Sequence, residues 1–212
     1  DTRAIALYVE GIDAPGDLLA AATRHGGRKP IVAYKTGRGV VGDAAARSHT
    51  GSLAGRHEIY THAFRQAGIL TVDSTQSLLD TAKALASCPI PPGPGVAVLS
   101  GQAGPSMAAC DVCESRGLEI VRFAENTQQR INELLPPLAL RTNPVDMGPA
   151  WYDSDAIRGI IQTVMDDESV HGILLLMMFA SANVAALAGI TGLLEQWQQQ
   201  KPLVSCILSP PG

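Results

Sequence analysis

The chain has 212 residues, enough for one large or two small domains, and 16 Lys plus Arg against 20 Asp plus Glu give a formal net charge of −4. That balance, with no basic run, argues against nucleic acid and anionic membrane as partners. Hydrophobic residues make up 46% and aromatics only 4%, so aliphatic side chains must fill the core. The longest apolar run, Ile173 to Ala180, is far too short to span a bilayer. Four cysteines (Cys88, Cys110, Cys113, Cys206) make no disulfide framework at this length, which points to a cytoplasmic globular protein.

Ile5 to Val9 reads as a core strand reached almost at once from Asp1. The far end, Ser209-Pro210-Pro211-Gly212, follows another apolar run, and both ends are expected to be cut from a longer polypeptide. In chain order a helix is expected over Asp17 to Thr23, a strand over Pro30 to Tyr34, and a small, polar, glycine-rich loop from Ala45 to Gly55. A helix from His57 to Ala67, a strand from Ile69 to Val72 and a helix from Ser74 to Ala86 follow, with Ser74 placed as N-cap ahead of the apolar spacing. Four prolines within 89–94 can neither continue a helix nor join a central strand, so 89–95 reads as a stiff linker. The chain divides there into 1–88 and 96–212. Beyond it, strands are expected at Val96 to Leu99, Leu118 to Val121, Gly172 to Met178 and Leu203 to Leu208. Helices are expected at Pro105 to Ser115, Thr127 to Leu135, Ser154 to Asp166 and Asn183 to Gln200. Continuous apolar strands alternating with helices give parallel sheets covered on both faces.

The segment Ala45 to Gly55 is the most informative. Ser48, Thr50, Gly51 and Ser52 set hydroxyls and close-approach backbone around His49. Amides near glycine can cradle a phosphate, and imidazole can accept and release a phosphoryl group near neutral pH. The same composition also suits a surface loop with a solvated imidazole. His25, His57, His62 and His171 lack such company and read as structural or solvated; His57 and His62, five apart, do not share a helix face for a metal. Glu10 follows the first strand, on the edge where open α/β sheets bind ligands. It could orient a histidine ring, or simply be an exposed acid at a turn. Ser100-Gly101-Gln102-Ala103-Gly104-Pro105 joins a strand to a helix N-terminus, which is either an anion site or an ordinary turn. Asn143-Pro144-Val145-Asp146 reads as a turn with a backbone-bonding Asp. Cys110 and Cys113 lie in a helical stretch with no second pair, so no metal site is expected.

Three strings, Leu7 to Gly11, Ser48-His49-Thr50-Gly51-Ser52-Leu53-Ala54-Gly55 and Ala63 to Ile69, resemble the NDP-forming acyl-CoA synthetases, relatives of succinyl-CoA synthetase and ADP-forming acetyl-CoA synthetase. The turn at Ser100 to Pro105, the run Cys113 to Leu118 and Asn143-Pro144-Val145-Asp146 fit the same family in the same order. The resemblance implies two flavodoxin-like α/β units, each truncated, from the ligase core of an enzyme that converts acid, CoA and NTP to acyl-CoA, NDP and phosphate. It implies that His49 is the phosphorylated nucleophile and that Glu10 orients it. Phosphate contacts are implied for Ser48, Thr50, Gly51, Ser52, Gly101, Gln102, Ala103 and Gly104. Ala103 and Ser106 stand where relatives often have glycine.

The matched stretch lacks the family's CoA-binding Rossmann domain, the first strand and helix of the His-carrying domain, and the ATP-grasp domain. CoA and ATP or ADP with Mg²⁺ are therefore expected to be held mainly by domains outside this chain, which alone should be inert. CoA-binding and ATP-grasp domains or subunits are the implied partners, a small carboxylic acid the substrate, and self-association into a homo-oligomer is open. The alternative is a catalytically silent acyl-CoA-sensing module, as in relatives fused to a protein acetyltransferase; the presence of His49 favours the ligase.

Overall fold

A computed structural model describes residues 1–25, 28–50, 57–178 and 183–208, apart from the side chains at 47, 49, 50, 191, 195, 198, 207 and 208. The chain forms two units, Asp1–Ser87 and Cys88–Gly212.

In the first unit the described elements are β1 (Ile5–Val9), α1 (Pro15–His25), β2 (Ile31–Lys35), α2 (Val40–Thr50), α3 (His57–Gln66), β3 (Leu70–Val72) and α4 (Thr75–Ser87). The strands pair in the order β1-β2-β3, all parallel, with Val9 opposite Lys35 and Tyr34 opposite Val72. Val32 and Ala33 of β2 are fully buried, which explains the unbroken apolar run. Tyr60 and Phe64, one helical turn apart on α3, pack edge-to-face in this core. Ser74 caps α4 as expected, its Oγ accepting the Ser77 amide at 3.0 Å.

The second unit contains β4 (Gly95–Ser100), α5 (Ala103–Ser115), β5 (Glu119–Ile120), α6 (Glu125–Leu134), β6 (Val145–Asp146), α7 (Ser154–Met165), β7 (Gly172–Met178), α8 (Val184–Ala188), α9 (Thr191–Gln200) and β8 (Leu203–Leu208), with a 3-10 turn at Gly148–Ala150. Its sheet runs β5-β4-β7-β8, with β6 also beside β4, and every pair is parallel. All six residues of β4 are buried. Helix α7 covers the sheet with Ile157, Ile160, Ile161 and Val164, an apolar stripe at helical spacing. The Asp153 carboxylate caps it, accepting the amides of Asp155 and Ala156. Both units are thus α/β with parallel sheets flanked by helices. No helix among the described residues is long and apolar enough to cross a membrane.

Three expectations need correction. The stretch from residue 45 to 50 is the end of α2, not a loop: Ala44, Ala45 and Ala46 are strong helix formers, and Ser48 Oγ donates to the Ala44 carbonyl at 3.1 Å within the helix. The rest of that expected loop, residues 51–56, lies outside the described residues. Val145–Asp146 is a short strand rather than only a turn. The helix expected over 183–200 breaks into α8 and α9 at Gly189 and Ile190, where Ile190 turns inward to 1% exposure.

Asn143 joins strands that lack a full ladder. Its Oδ1 accepts the Val98 amide at 2.9 Å, and its Nδ2 donates to the Val96 and Val121 carbonyls at 2.8 and 3.0 Å. The side-chain amide therefore fills the place of a peptide group beside β4. Asn143→Ala should orphan the Val98 amide and the Val121 carbonyl, the Val96 carbonyl keeping the Val121 amide, and lower unfolding free energy by about 3 kcal/mol, measured by urea denaturation. Asn143→Asp should be at least as damaging, because it puts an oxygen where Nδ2 faces two carbonyls.

Asp167 is 3% exposed ahead of β7. It accepts the Ala124 amide at 2.9 Å, the Ser169 amide at 2.9 Å and the Ser169 hydroxyl at 2.7 Å. Burial pushes its pKa up, but the Ser169 hydroxyl, the two amides and Thr127 together hold it below the ordinary value. A depressed carboxyl contributes stability that is complete above the unfolded pKa, about 3.9, and is lost as pH falls through the lower folded value. Asp167→Asn should be less stable at neutral pH and lose less on acidification below about pH 4, as read from chemical denaturation at several pH values.

Candidate functional site

The carboxyl ends of β1, β2 and β3 emerge on one edge of the first sheet, carrying Glu10, Lys35-Thr36-Gly37-Arg38 and Asp73. The Thr36 amide donates to the Val9 carbonyl at 3.0 Å, which places Glu10 beside the end of β2. Glu10 is half-buried. His49 lies near the end of α2, the helix that leaves this same edge; its side chain and that of Thr50 are outside the described residues, as are Gly51 and Ser52 altogether. The Ser48 hydroxyl is turned to its own helix, as above.

Sequence reasoning missed Lys35 as a site residue. The lysine is only 3% exposed, donates to the Thr36 carbonyl at 2.6 Å and sits 5.0 Å from the Tyr60 ring centroid. Burial lowers its pKa, opposed by the carboxylates of Asp43 and then Glu10. The available signal was a lysine ending an apolar strand immediately before a Thr-Gly turn. A charge at the carboxyl end of a buried parallel strand faces the ligand edge.

Arg38 was given no role by the sequence, and His57 was expected to be structural or solvated. Arg38 Nε donates to His57 Nε2 at 3.1 Å, and its Nη2 pairs with Asp73. Burial, then Arg38 and Lys35, hold the His57 pKa below its usual value against the pull of Glu58. The other histidines are structural or at the surface. His25 stands in the last turn of α1, His62 Nδ1 bonds the Glu58 carbonyl, and His171 Nδ1 accepts the Gly95 amide at 2.9 Å.

In the second unit β4 ends at Ser100 and α5 begins at Ala103. Two of the amides proposed for phosphate already have partners: Gln102 N–H donates to Ser100 Oγ at 3.1 Å, and Gly101 N–H to the Leu176 carbonyl at 3.4 Å. Those of Ala103 and Gly104 open the helix, where a first turn has no intrahelical acceptor, and Gln102 provides no side-chain cap. The Trp151 ring lies against Gly101, so a Cβ there would come within 2.8 Å of it. Trp151 Nε1 donates to the Met178 carbonyl at 3.2 Å, fixing the ring over a cleft of about 130 Å³ shared by Gly101, Gln102, Gly148, Tyr152 and Met178. Asp146, as expected, bonds backbone: its Oδ1 accepts the Gly148 amide at 2.9 Å. A larger open groove along α6, about 1190 Å³, is lined by Arg122, Gln128 and Arg141 and shares no residue with this cleft. Burial raises the thiol pKa values of Cys110 and Cys113, and no group of three His, Cys, Asp or Glu among the described residues could hold a metal.

Residues 1–85 match the model of the succinyl-CoA ligase like flavodoxin domain. The alpha subunit of ADP-forming acetate–CoA ligase II from Pyrococcus furiosus is 35% identical over 191 residues, covering 90% of this chain and 40% of that relative. The ADP-forming acetate–CoA ligase I of Archaeoglobus fulgidus is 33% identical over 177 residues, 83% of this chain and 25% of that protein. The acetyl-coenzyme A synthetase 1 of Ca. Korarchaeum cryptofilum, solved in complex with phosphate and ADP, aligns with a TM-score of 0.85 at 30% identity, covering 98% of this chain and 46% of that one. Residues 1–85 are thus a succinyl-CoA ligase like flavodoxin domain, and over most of its length the chain is homologous to ADP-forming acetate–CoA ligases. It spans about two-fifths of the length of its Pyrococcus relative. Gly101→Ala should force the Trp151 ring from the cleft and lower stability by about 1–3 kcal/mol, with a changed tryptophan fluorescence spectrum as the check.

Proposed function

We propose that this chain is the phosphoryl-carrying part of an NDP-forming acyl-CoA synthetase, with acid, CoA and NTP giving acyl-CoA, NDP and phosphate. One nitrogen of His49 attacks the terminal phosphorus of NTP and NDP leaves. The carboxylate of the acid then attacks the phosphohistidine phosphorus, giving acyl phosphate and restoring the imidazole. CoA thiolate attacks the acyl carbon and expels phosphate. Glu10 accepts the N–H of the second ring nitrogen, so the ring is presented in one tautomer and its positive charge is stabilised in the transition state. The free amides of Ala103 and Gly104, at the positive end of the α5 dipole, serve as a phosphate-holding group in the second unit.

The observation that carries this reading is the setting of His49. Its helix leaves the sheet edge that holds Glu10 and Lys35, and the string 48–55 lies in a chain whose relatives are named ADP-forming ligases. The Korarchaeum neighbour bound to phosphate and ADP suits the same chemistry. Nucleotide, Mg²⁺ and CoA would be bound mainly by CoA-binding and ATP-grasp domains or subunits, in keeping with a relative named as an alpha subunit. The acids named for relatives run from acetate to 4-hydroxybutyrate, so the substrate is assigned only as a carboxylic acid.

The full-length protein with its nucleotide-binding partner, incubated with γ-labelled ATP and Mg²⁺, should acquire acid-labile, base-stable label. Label should vanish in His49→Asn. A folded wild type that takes no label with an intact ATP-grasp domain would overturn the ligase reading and leave the acyl-CoA-sensing module to be tested.

A further inference from the structure

We propose that Arg38 and His57 are positioning residues for His49, bonded to each other across the base of the segment that carries it. The inference rests on the phosphohistidine reading above. The chain leaves the sheet edge at Arg38, enters α2 at Val40, and comes back to the described structure at His57, the first residue of α3. Arg38 Nε reaches His57 Nε2 at 3.1 Å across nineteen positions of sequence, so entrance and return are bonded directly. Arg38 Nη2 is tied at the same time to Asp73, the residue after β3. Thr61 holds the other side, donating its hydroxyl to the His57 carbonyl at 3.0 Å and lying 3.4 Å from Nε2.

The turn before the clamp is equally constrained. Gly37 takes φ +73°, a left-handed conformation that glycine adopts without strain, and packs on α2 so closely that a Cβ on Gly42 would sit 3.3 Å from its Cα. The end of β2, the residue after β3 and the start of α3 are therefore pinned at one guanidinium. Arg38 and Asp73 side chains are 45% and 78% exposed, where an ion pair adds little to stability. Its consequence is geometric. A nucleophile displaced by an ångström from in-line attack can lose about a hundredfold in rate.

The clamp needs His57 deprotonated at Nε2, because a guanidinium only donates. The ring is surrounded for that state: Arg38 and Lys35 face it as cations, and Glu58 on its own helix is the acid that opposes them. Asp43 lies beside Lys35 and Asp73 beyond Arg38. The neutral ring that accepts at Nε2 carries its proton on Nδ1, which is buried with no partner among the described residues.

The test uses the full-length protein with its nucleotide-binding partner, γ-labelled ATP and the variants Arg38→Met and His57→Gln. Arg38→Met should leave the thermal unfolding midpoint within a few degrees and KM for ATP unchanged, while lowering the maximal rate of labelling about tenfold. His57→Gln keeps an acceptor that does not titrate. It should label near the wild-type rate at neutral pH and show a shallower fall in rate than wild type as pH drops from about 7 to 5, because only protonation of the His49 nucleophile then remains. Wild-type labelling by Arg38→Met, or a His57→Gln rate as low as that of Arg38→Met, overturns the proposal. If wild type itself takes no label, the phosphohistidine reading has failed separately. Hydrogen exchange of the α2 amides then decides the clamp: faster exchange in Arg38→Met supports it, and unchanged exchange overturns it.

Discussion

Parallel strands can be joined only by a crossover that returns the chain to the amino end of the sheet, so all carboxyl ends emerge on one edge. In the first unit this constraint alone assembles Glu10, the Lys35 to Arg38 turn and Asp73, residues up to 63 positions apart in sequence. In the second it brings the end of β4 beside Asp146 and Met178, beneath the Trp151 ring. The chemistry of both edges is thus set by which residues happen to follow strands.

Two buried charges, Lys35 and Asp167, show different solutions to desolvation. Lys35 is compensated by distributed partners: a carbonyl, an aromatic face and two acids at longer range. Asp167 is compensated by direct donors on both oxygens, enough to reverse the effect of burial on its carboxyl group. The first arrangement leaves an ammonium able to respond to a change in nearby charge. The second is saturated, and its role is to tie the start of α6 to the turn before β7.

Most of the architecture was legible because the strands are continuous aliphatic runs and the helices carry apolar stripes, as in Val96 to Leu99 and Ile157 to Val164. What was not legible depended on tertiary context. Glycine and hydroxyl residues around His49 hid the helical preference of three consecutive alanines. Gly189 could sit within a helix by sequence, yet a Cβ there would lie 3.1 Å from Ser154, and burial of Ile190 draws the chain into a turn. Glu10 was placed at its sheet edge by pattern. Lys35 was passed over because the expected strand stopped at Tyr34, whereas β2 extends to Lys35 and buries it. The bond between Arg38 and His57 could not be read at all, since no periodicity relates residues nineteen apart.

The Asn143 side chain also bears on how the second sheet meets other chains. β5 pairs with β4 at Gly95 and Val96, and β6 at Leu99 and Ser100, leaving a gap in the ladder between them. An open stretch of strand backbone is a template on which a foreign strand can dock and aggregation can start. By occupying the Val98 amide and the Val96 carbonyl, one asparagine closes that opening with a side chain instead of a third strand. An incoming strand would have to displace the Asn143 amide before it could pair with β4 at Val98.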